Sequence, residues 1–296
     1  MDFNSLTSID GSILSPLMNL EQLYLSFNLI RSISRSTFSN TPNLRTIEFR
    51  NNHVTTIEDL SFSNLKRLEE LDLSNNDHFA TITKDTFSGL KSLLVLELYG
   101  NSIASIEANS FVDLESLFYL DLENNLLNRL YKGIFKGLKS LNELLLSNNR
   151  ITYIENEAFI DLDKAFLIYA SNNSIEAIER DMFLHLESLI VLDLSRNSIE
   201  LIDSRVFSRL VSLEDLILSR NIIAYVSPNE FRDNKKLVYL DMQFNQLSYV
   251  DPNIVQGCIN LTKFCLGNNL FSPNFFINTF GLSNLNPNSI FSASCQ

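Results

Sequence analysis

Apolar residues recur along this chain with a fixed step. The pattern LEQLYLSFNLIRSISRSTF that begins at Leu20 returns at Leu44, Leu68, Leu93, Leu117, Leu141, Ala165, Leu189, Leu213, Leu237 and Leu261, 24 residues apart except for one step of 25. Counting the first residue of each unit as position 1, apolar side chains fall at 1, 4, 6, 11, 14, 19 and usually 22. Positions 4 and 6 alternate with polar 5 and 7, the period of two that marks a short strand. The alternation stops at position 9, always asparagine: Asn28, Asn52, Asn76, Asn101, Asn125, Asn149, Asn173, Asn197, Asn221, Asn245 and Asn269. Backbone amides of a turn enclosed between coils need partners, and an asparagine side chain has two donor hydrogens and an acceptor. The spacing therefore predicts that these asparagines are buried and bond the backbone of their own turn and of the next coil. The Phe residues at position 19, from Phe38 to Phe231, predict a stacked spine. The extra residue in the third unit, around Asp77, His78 and Phe79, predicts a bulge absorbed locally in the turn. One unit buries too little to fold alone, so stability is a sum over neighbouring units.

The consensus LxxLxLxxNxIxxIxxxxFxxLxx, written most plainly as LIVLDLSRNSIELIDSRVFSRLVS from Leu189, resembles the leucine-rich repeat family in its 24-residue extracellular subclass. Toll-like receptor ectodomains, Slit, insect leucine-rich immune proteins and small proteoglycans share that subclass. The resemblance implies an α/β solenoid: a horseshoe with a concave parallel sheet, one strand per repeat, and an irregular or short-helical convex side. It divides the chain into a truncated repeat at 1–19, ten repeats at 20–260, and a degenerate repeat with a capping tail at 261–296. Extracellular members carry a signal peptide and a cysteine-rich N-terminal cap. Neither is recognisable here, so the chain reads as part of a longer protein.

Three cysteines cannot make a disulfide-dense scaffold. Cys258 takes the place of a core leucine and reads as a buried small hydrophobe. Cys265 is expected on the open face of the last strand, where a Cys265–Cys295 bridge would pin the tail in an oxidising compartment. The sequons at Asn172 and Asn260 fit a secreted glycoprotein, with Asn172 at the rim of the inner face.

Composition narrows function further. With 35 acidic against 23 basic side chains the net charge is −12, the wrong sign for displacing counterions from a nucleic acid. No apolar run of ~18 residues spans a bilayer. His53, His78 and His185 lie in different repeats at no metal-ligand spacing, and there is no phosphate loop or nucleophile elbow. Neither catalysis nor a cofactor or metal is expected.

What remains is a surface. Side chains at positions 3, 5, 7 and 8 point away from the core. Glu70, Glu97, Asp121, Glu123 and Glu143 make this face acidic, while Val95, Tyr99, Tyr119, Leu145, Leu167 and Tyr169 add apolar area. Apolar clusters on one face mark interaction sites, and tyrosine is a favoured anchor. Asp at position 5 is common in the family, which leaves Asp72, Asp121, Asp193 and Asp241 with a possible purely structural reading. The charge and the aromatic run overlap near Tyr99, Tyr119 and Leu145, the expected contact centre. The function so read is protein–protein recognition, secreted or in a receptor ectodomain, of a ligand with a basic surface, with innate immunity or adhesion implied by the resemblance. The alternatives are a self-associating matrix protein and an intracellular scaffold or inhibitor.

Overall fold

The computed structural model describes residues 1–272 and Phe275. Parallel strands pair in chain order in two sets, β1 Gln22–Tyr24, β2 Thr46–Glu48, β3 Glu70–Asp72, β4 Val95–Glu97, β5 Tyr119–Asp121 and β6 Glu143–Leu145, and then β7 Leu167–Tyr169, β8 Val191–Asp193, β9 Asp215–Ile217, β10 Tyr239–Asp241 and β11 Lys263–Cys265. A short helix forms at Gly11–Leu14 and a 3₁₀ turn at Val206–Arg209. The fold is a leucine-rich repeat solenoid. It contains two compact units, Met1–Arg150 with Ala158–Leu162, and Ile151–Glu157 with the rest of the chain.

In the first unit the middle residue of each strand pairs with the next in strict register, Leu23 to Ile47 to Leu71 to Leu96 to Leu120 to Leu144, and all six are buried. The asparagines explain how the coil turns after each strand. Asn125 donates to the carbonyl of Leu122 in its own coil (3.1 Å) and of Leu98 in the preceding one (2.9 Å), and accepts from the Ile103 amide (2.9 Å). Each such side chain thus ties a turn to itself and to the preceding coil rather than, as expected, to the next one. The strand-end carbonyl and turn amide within its reach belong to the coil before. The step of 25 leaves the strand register intact and reroutes this ladder instead. Asn101 accepts from the amide of Asn76 itself (2.9 Å), whereas its counterparts accept from the residue two further on. On the far side of the core the rings of Phe38, Phe62, Phe87, Phe111, Phe135 and Phe159 stack at 5.7–6.5 Å between centroids. Burial of these rings supplies much of the apolar contact between coils.

The second unit repeats the scheme, with Ile168, Leu192, Leu216 and Leu240 in register at the strand centres. Asn197 donates to Leu194 and Ala170 and accepts from Ile175, each at 3.0 Å. Phe183, Phe207 and Phe231 continue as a stack of their own at 6.0 and 5.7 Å. Position 8 is left-handed in every coil, from Phe27 (φ 57°) through Asn51, Asn75, Gly100, Asn124 and Asn148 to Asn172, Arg196, Arg220, Phe244 and Asn268. Asparagine and glycine tolerate that conformation best, which accounts for their prevalence there.

Two cysteine readings meet the structure differently. Cys258 is a free, buried thiol whose Sγ lies 3.3 Å from the Phe231 carbonyl oxygen, and burial pushes its pKa up to about 11. Cys265, expected on the open face, is instead fully buried on the last strand, where it stands beside Asp241 in register. Cys295 lies outside the described residues.

Candidate functional site

The inner face of the first unit is built on β2 to β6. Position 5 of consecutive strands places Glu48 opposite Asp72, Asp72 opposite Glu97, and Glu97 opposite Asp121. Four carboxylates therefore stand in one row, ~4.8 Å apart. Like charges at that spacing repel, and the groups respond. Burial raises the pKa of Glu97, and the charges of Asp72 and Asp121 raise it further, while Arg50 lowers it. Burial and the Asp72 charge do the same for Glu48. Asp121 is pushed up to about 6, again chiefly by burial.

The aspartates and glutamates of this row differ in what they hold. Asp72 accepts from the Ser74 amide (2.7 Å), and Asp121 from the Glu123 amide (2.8 Å). Each carboxylate is thus occupied by the backbone two residues on. Glu97, one methylene longer, accepts no hydrogen bond from the described residues and stays half-buried. Asp121, read from the sequence as a contact residue, is buried at 8% exposure and is not open to a partner. Its neighbours in register are Glu97 and Leu145, and Tyr119 stands two residues before it on the same face of its own strand, so it is flanked on both strands and on its own.

The remaining candidates of this unit lie at the surface of the sheet. Glu70 and Tyr99 are exposed, and Val95, Tyr119, Glu123, Glu143 and Leu145 are half-buried. Tyr119 sits among Asp121, Glu97, Glu143 and Glu123; burial first, and then their charges, raise its pKa, so the phenol stays protonated as a donor. A recess of about 290 Å³ opens beside them, lined by Thr46, Glu48, Glu70, Asp72, Val95 and Glu97 among others. It lies on β2 to β4, toward the start of the chain from the expected centre at Tyr99, Tyr119 and Leu145. Glu48 and Asp72 belong to it, and their position-5 alternation is the sequence signal that marks them. No group of His, Cys, Asp and Glu among the described residues is arranged to hold a metal ion. No helix among them is long and apolar enough to cross a membrane.

Leucine rich repeat sequence profiles match residues 1–53, 18–77, 77–127, 121–175 and 167–223, which together cover most of the chain. The chain belongs to the leucine-rich repeat family. No curated protein matches it significantly. Solved structures similar to this leucine-rich repeat chain include an LRIM1/APL1C complex, at TM-score 0.75 and 24% identity over 90% of the chain. The Drosophila Toll–Spatzle complex follows at 0.71 and 24% over 96%, and a TLR13–ssRNA13 complex at 0.64 and 24% over 89%. The chain spans 48%, 41% and 45% of those respective chains. At such identity the likeness is one of fold. Proteins of this fold serve as binding scaffolds, and those in the first two structures are captured in protein complexes.

In the second unit of this leucine-rich repeat protein, Leu167 and Tyr169 are half-buried on β7. Asp193 and Asp241 bond the amides of Ser195 (2.8 Å) and Gln243 (3.0 Å), the same local use seen at Asp72. Asn172 and Asn260 are exposed.

Proposed function

We propose that this protein is a non-catalytic recognition module that holds a protein ligand with a basic surface on the inner face of its first unit. The observation that carries the reading is the in-register row Glu48, Asp72, Glu97 and Asp121, flanked by Glu70, Glu123 and Glu143, with Arg50 as the one base at positions 3, 5 and 7 of that unit. Glu97 and Glu70 supply the steering charge, because the aspartates are engaged with backbone. Tyr99, Tyr119 and Leu145 supply the apolar contact. A complex with RNA is known for this fold, as the TLR13 structure records, but a row of carboxylates repels phosphate. The exposed sequons at Asn172 and Asn260 support an extracellular location. A role in innate immunity or adhesion is the matching proposal, supported by the Toll–Spatzle and LRIM1/APL1C neighbours.

The test is affinity capture from extracellular fluid with the wild-type chain and with Tyr119→Ala/Glu97→Lys, both checked for folding by circular dichroism. A basic protein retained by the wild type at physiological salt and lost by the double variant is the expected result. Equal retention by both would show this face to be ordinary surface.

A further inference from the structure

We infer that the second unit carries a separate docking strip, formed at position 13 of its coils, for a basic amphipathic helix. In the first unit the corresponding residues are polar: Ser32, Thr56, Thr81, Ser105 and Arg129. In the second they are Tyr153, Ala177, Leu201, Tyr225 and Tyr249. The row faces outward, since Ile154, Ile178, Val226 and Val250 at position 14 are buried while Leu201, Tyr225 and Tyr249 are exposed. Ala177 and Leu201 are partners in a parallel strand pair. Tyr153 and Ala177 are half-buried, Leu201 is 65% exposed, Tyr225 64%, and Tyr249, whose ring meets Phe275 edge-on at 5.9 Å and closes that end of the row, 54%. Yet position 13 neither contributes to the core nor needs an apolar side chain to fold, as the first unit shows. Apolar groups aligned in this way on a surface mark an interaction site.

The spacing and the surrounding charge select the occupant. Rungs one coil apart are ~4.8 Å from each other. Apolar side chains on one face of an α-helix recur every three or four residues, ~4.5 or 6 Å along its axis, and can follow such rungs. Same-face residues of an extended chain are ~6.7 Å apart and fall out of step within a few rungs. Four steps cover ~19 Å, or roughly 13 residues of helix. Carboxylates flank the row on both sides, Glu176 and Glu200 at position 12 and Glu179 and Asp203 at position 15, and outnumber the neighbouring Arg150 and Arg180. They favour a helix whose apolar stripe is bordered by Lys and Arg, the groove-type recognition of amphipathic helices. A second copy of the strip would set acid against acid. A sugar chain would stack on successive rings, and Ala177 and Leu201 interrupt the aromatic run.

The strip stands on different residues from the inner-face site and is tested separately. The probe is a fluorescein-labelled 14-residue Leu/Lys peptide with leucines at helical i, i+3, i+4, i+7 spacing, titrated with the full chain by fluorescence anisotropy at physiological salt. A scrambled peptide of the same composition is the control. Leu201→Thr/Tyr225→Ser, which installs residues of the kind the first unit uses, should weaken binding of the patterned peptide at least about tenfold. Glu176→Lys/Glu200→Lys, confined to exposed charges, should weaken it too, and Glu115→Gln, an exposed charge outside both surfaces, should not. Equal binding of the scrambled peptide, loss of binding with Glu115→Gln alone, or indifference to both strip variants would overturn the assignment. So would displacement of the peptide by chitohexaose, or a dimer seen by light scattering that Leu201→Thr/Tyr225→Ser abolishes; these outcomes would give the strip to a glycan or to a second copy.

Discussion

Replacing Asn125 by leucine isolates what the asparagine ladder contributes. The Asn125 amide group donates to the carbonyls of Leu98 and Leu122, but each keeps another donor: Leu98 still accepts from Asn101 (2.8 Å), and Leu122 from Asn149 (2.9 Å). The Ile103 amide, in contrast, finds its acceptor in Asn125 Oδ1, and Ile103 is fully buried. Asn125→Leu therefore leaves one orphaned buried N–H, at about 1–3 kcal/mol, and removes two bonds worth about 1 kcal/mol each. The expected loss is about 3–5 kcal/mol, offset in part by added apolar burial. Asn125→Asp keeps the acceptor for Ile103 but sets a carboxylate oxygen against two carbonyls. Its native pKa must rise above the unfolded value, so the native state binds the extra proton and stability relative to wild type falls as pH rises through the range between them. The assays are urea midpoints at pH 4.5 and 7.5 and hydrogen exchange at the Ile103 amide, because a repeat array loses stability locally before it loses it globally. A cost below about 1 kcal/mol for the leucine variant, or a pH-independent difference for the aspartate variant, would refute this account of the ladder.

Two further predictions concern the charges and the turns. Asp121→Asn keeps an acceptor for the Glu123 amide and removes a crowded carboxylate, so it should stabilise the chain by about 1–2 kcal/mol at pH 7.5. Asp121, Glu97 and Glu48 have native pKa values raised above their unfolded ones, so the native state binds more protons between pH ~4 and ~6, and wild-type stability declines as pH rises through that window; thermal melts at pH 5 and 7.5 should show a smaller difference for the variant, and an unchanged one would count against the crowding. Arg196, at φ 55° and exposed, pays for a left-handed backbone that asparagine accepts in other coils, and Arg196→Asn should raise stability by about 0.5–1 kcal/mol; a lower urea midpoint would contradict this.

The fold was legible because every coil repeats the same constraints. Apolar alternation, the position-9 amide and the position-19 ring each have one physical solution, and Asn125 and Phe135 occupy it as their neighbours do. Even the insertion near Asp77 was readable as local, although the rerouted bond from the Asn76 amide was not, since it depends on where the displaced backbone comes to rest. The site was less legible. Sequence told which face Asp121 belongs to, but its depth depends on Tyr119 above it and on Glu97 and Leu145 across it. The same limit applies to Cys265, which alternation places on the open face and the structure buries. The row from Tyr153 to Tyr249 was present in the sequence but carried no weight there, because position 13 is outside the inner face and only exposure separates it from core.

At position 5 a single methylene divides structural charge from available charge. Aspartate reaches back to the amide two residues on, as Asp72, Asp121, Asp193 and Asp241 all do. That bond fixes the exit of the strand and withdraws the carboxylate from partners. At Glu97 the longer side chain keeps the charge but accepts no such bond, so its desolvation and the repulsion from Asp72 and Asp121 are not offset within the chain. A cationic partner would offset them. The acidic face thus has two components: aspartates that shape the strand ends, and a glutamate held at a cost that binding relieves. Exchanging Glu97 for Asp would retain the formal charge of the row while placing the carboxylate within reach of the Tyr99 amide, and on this reasoning would lower ligand affinity despite the unchanged charge.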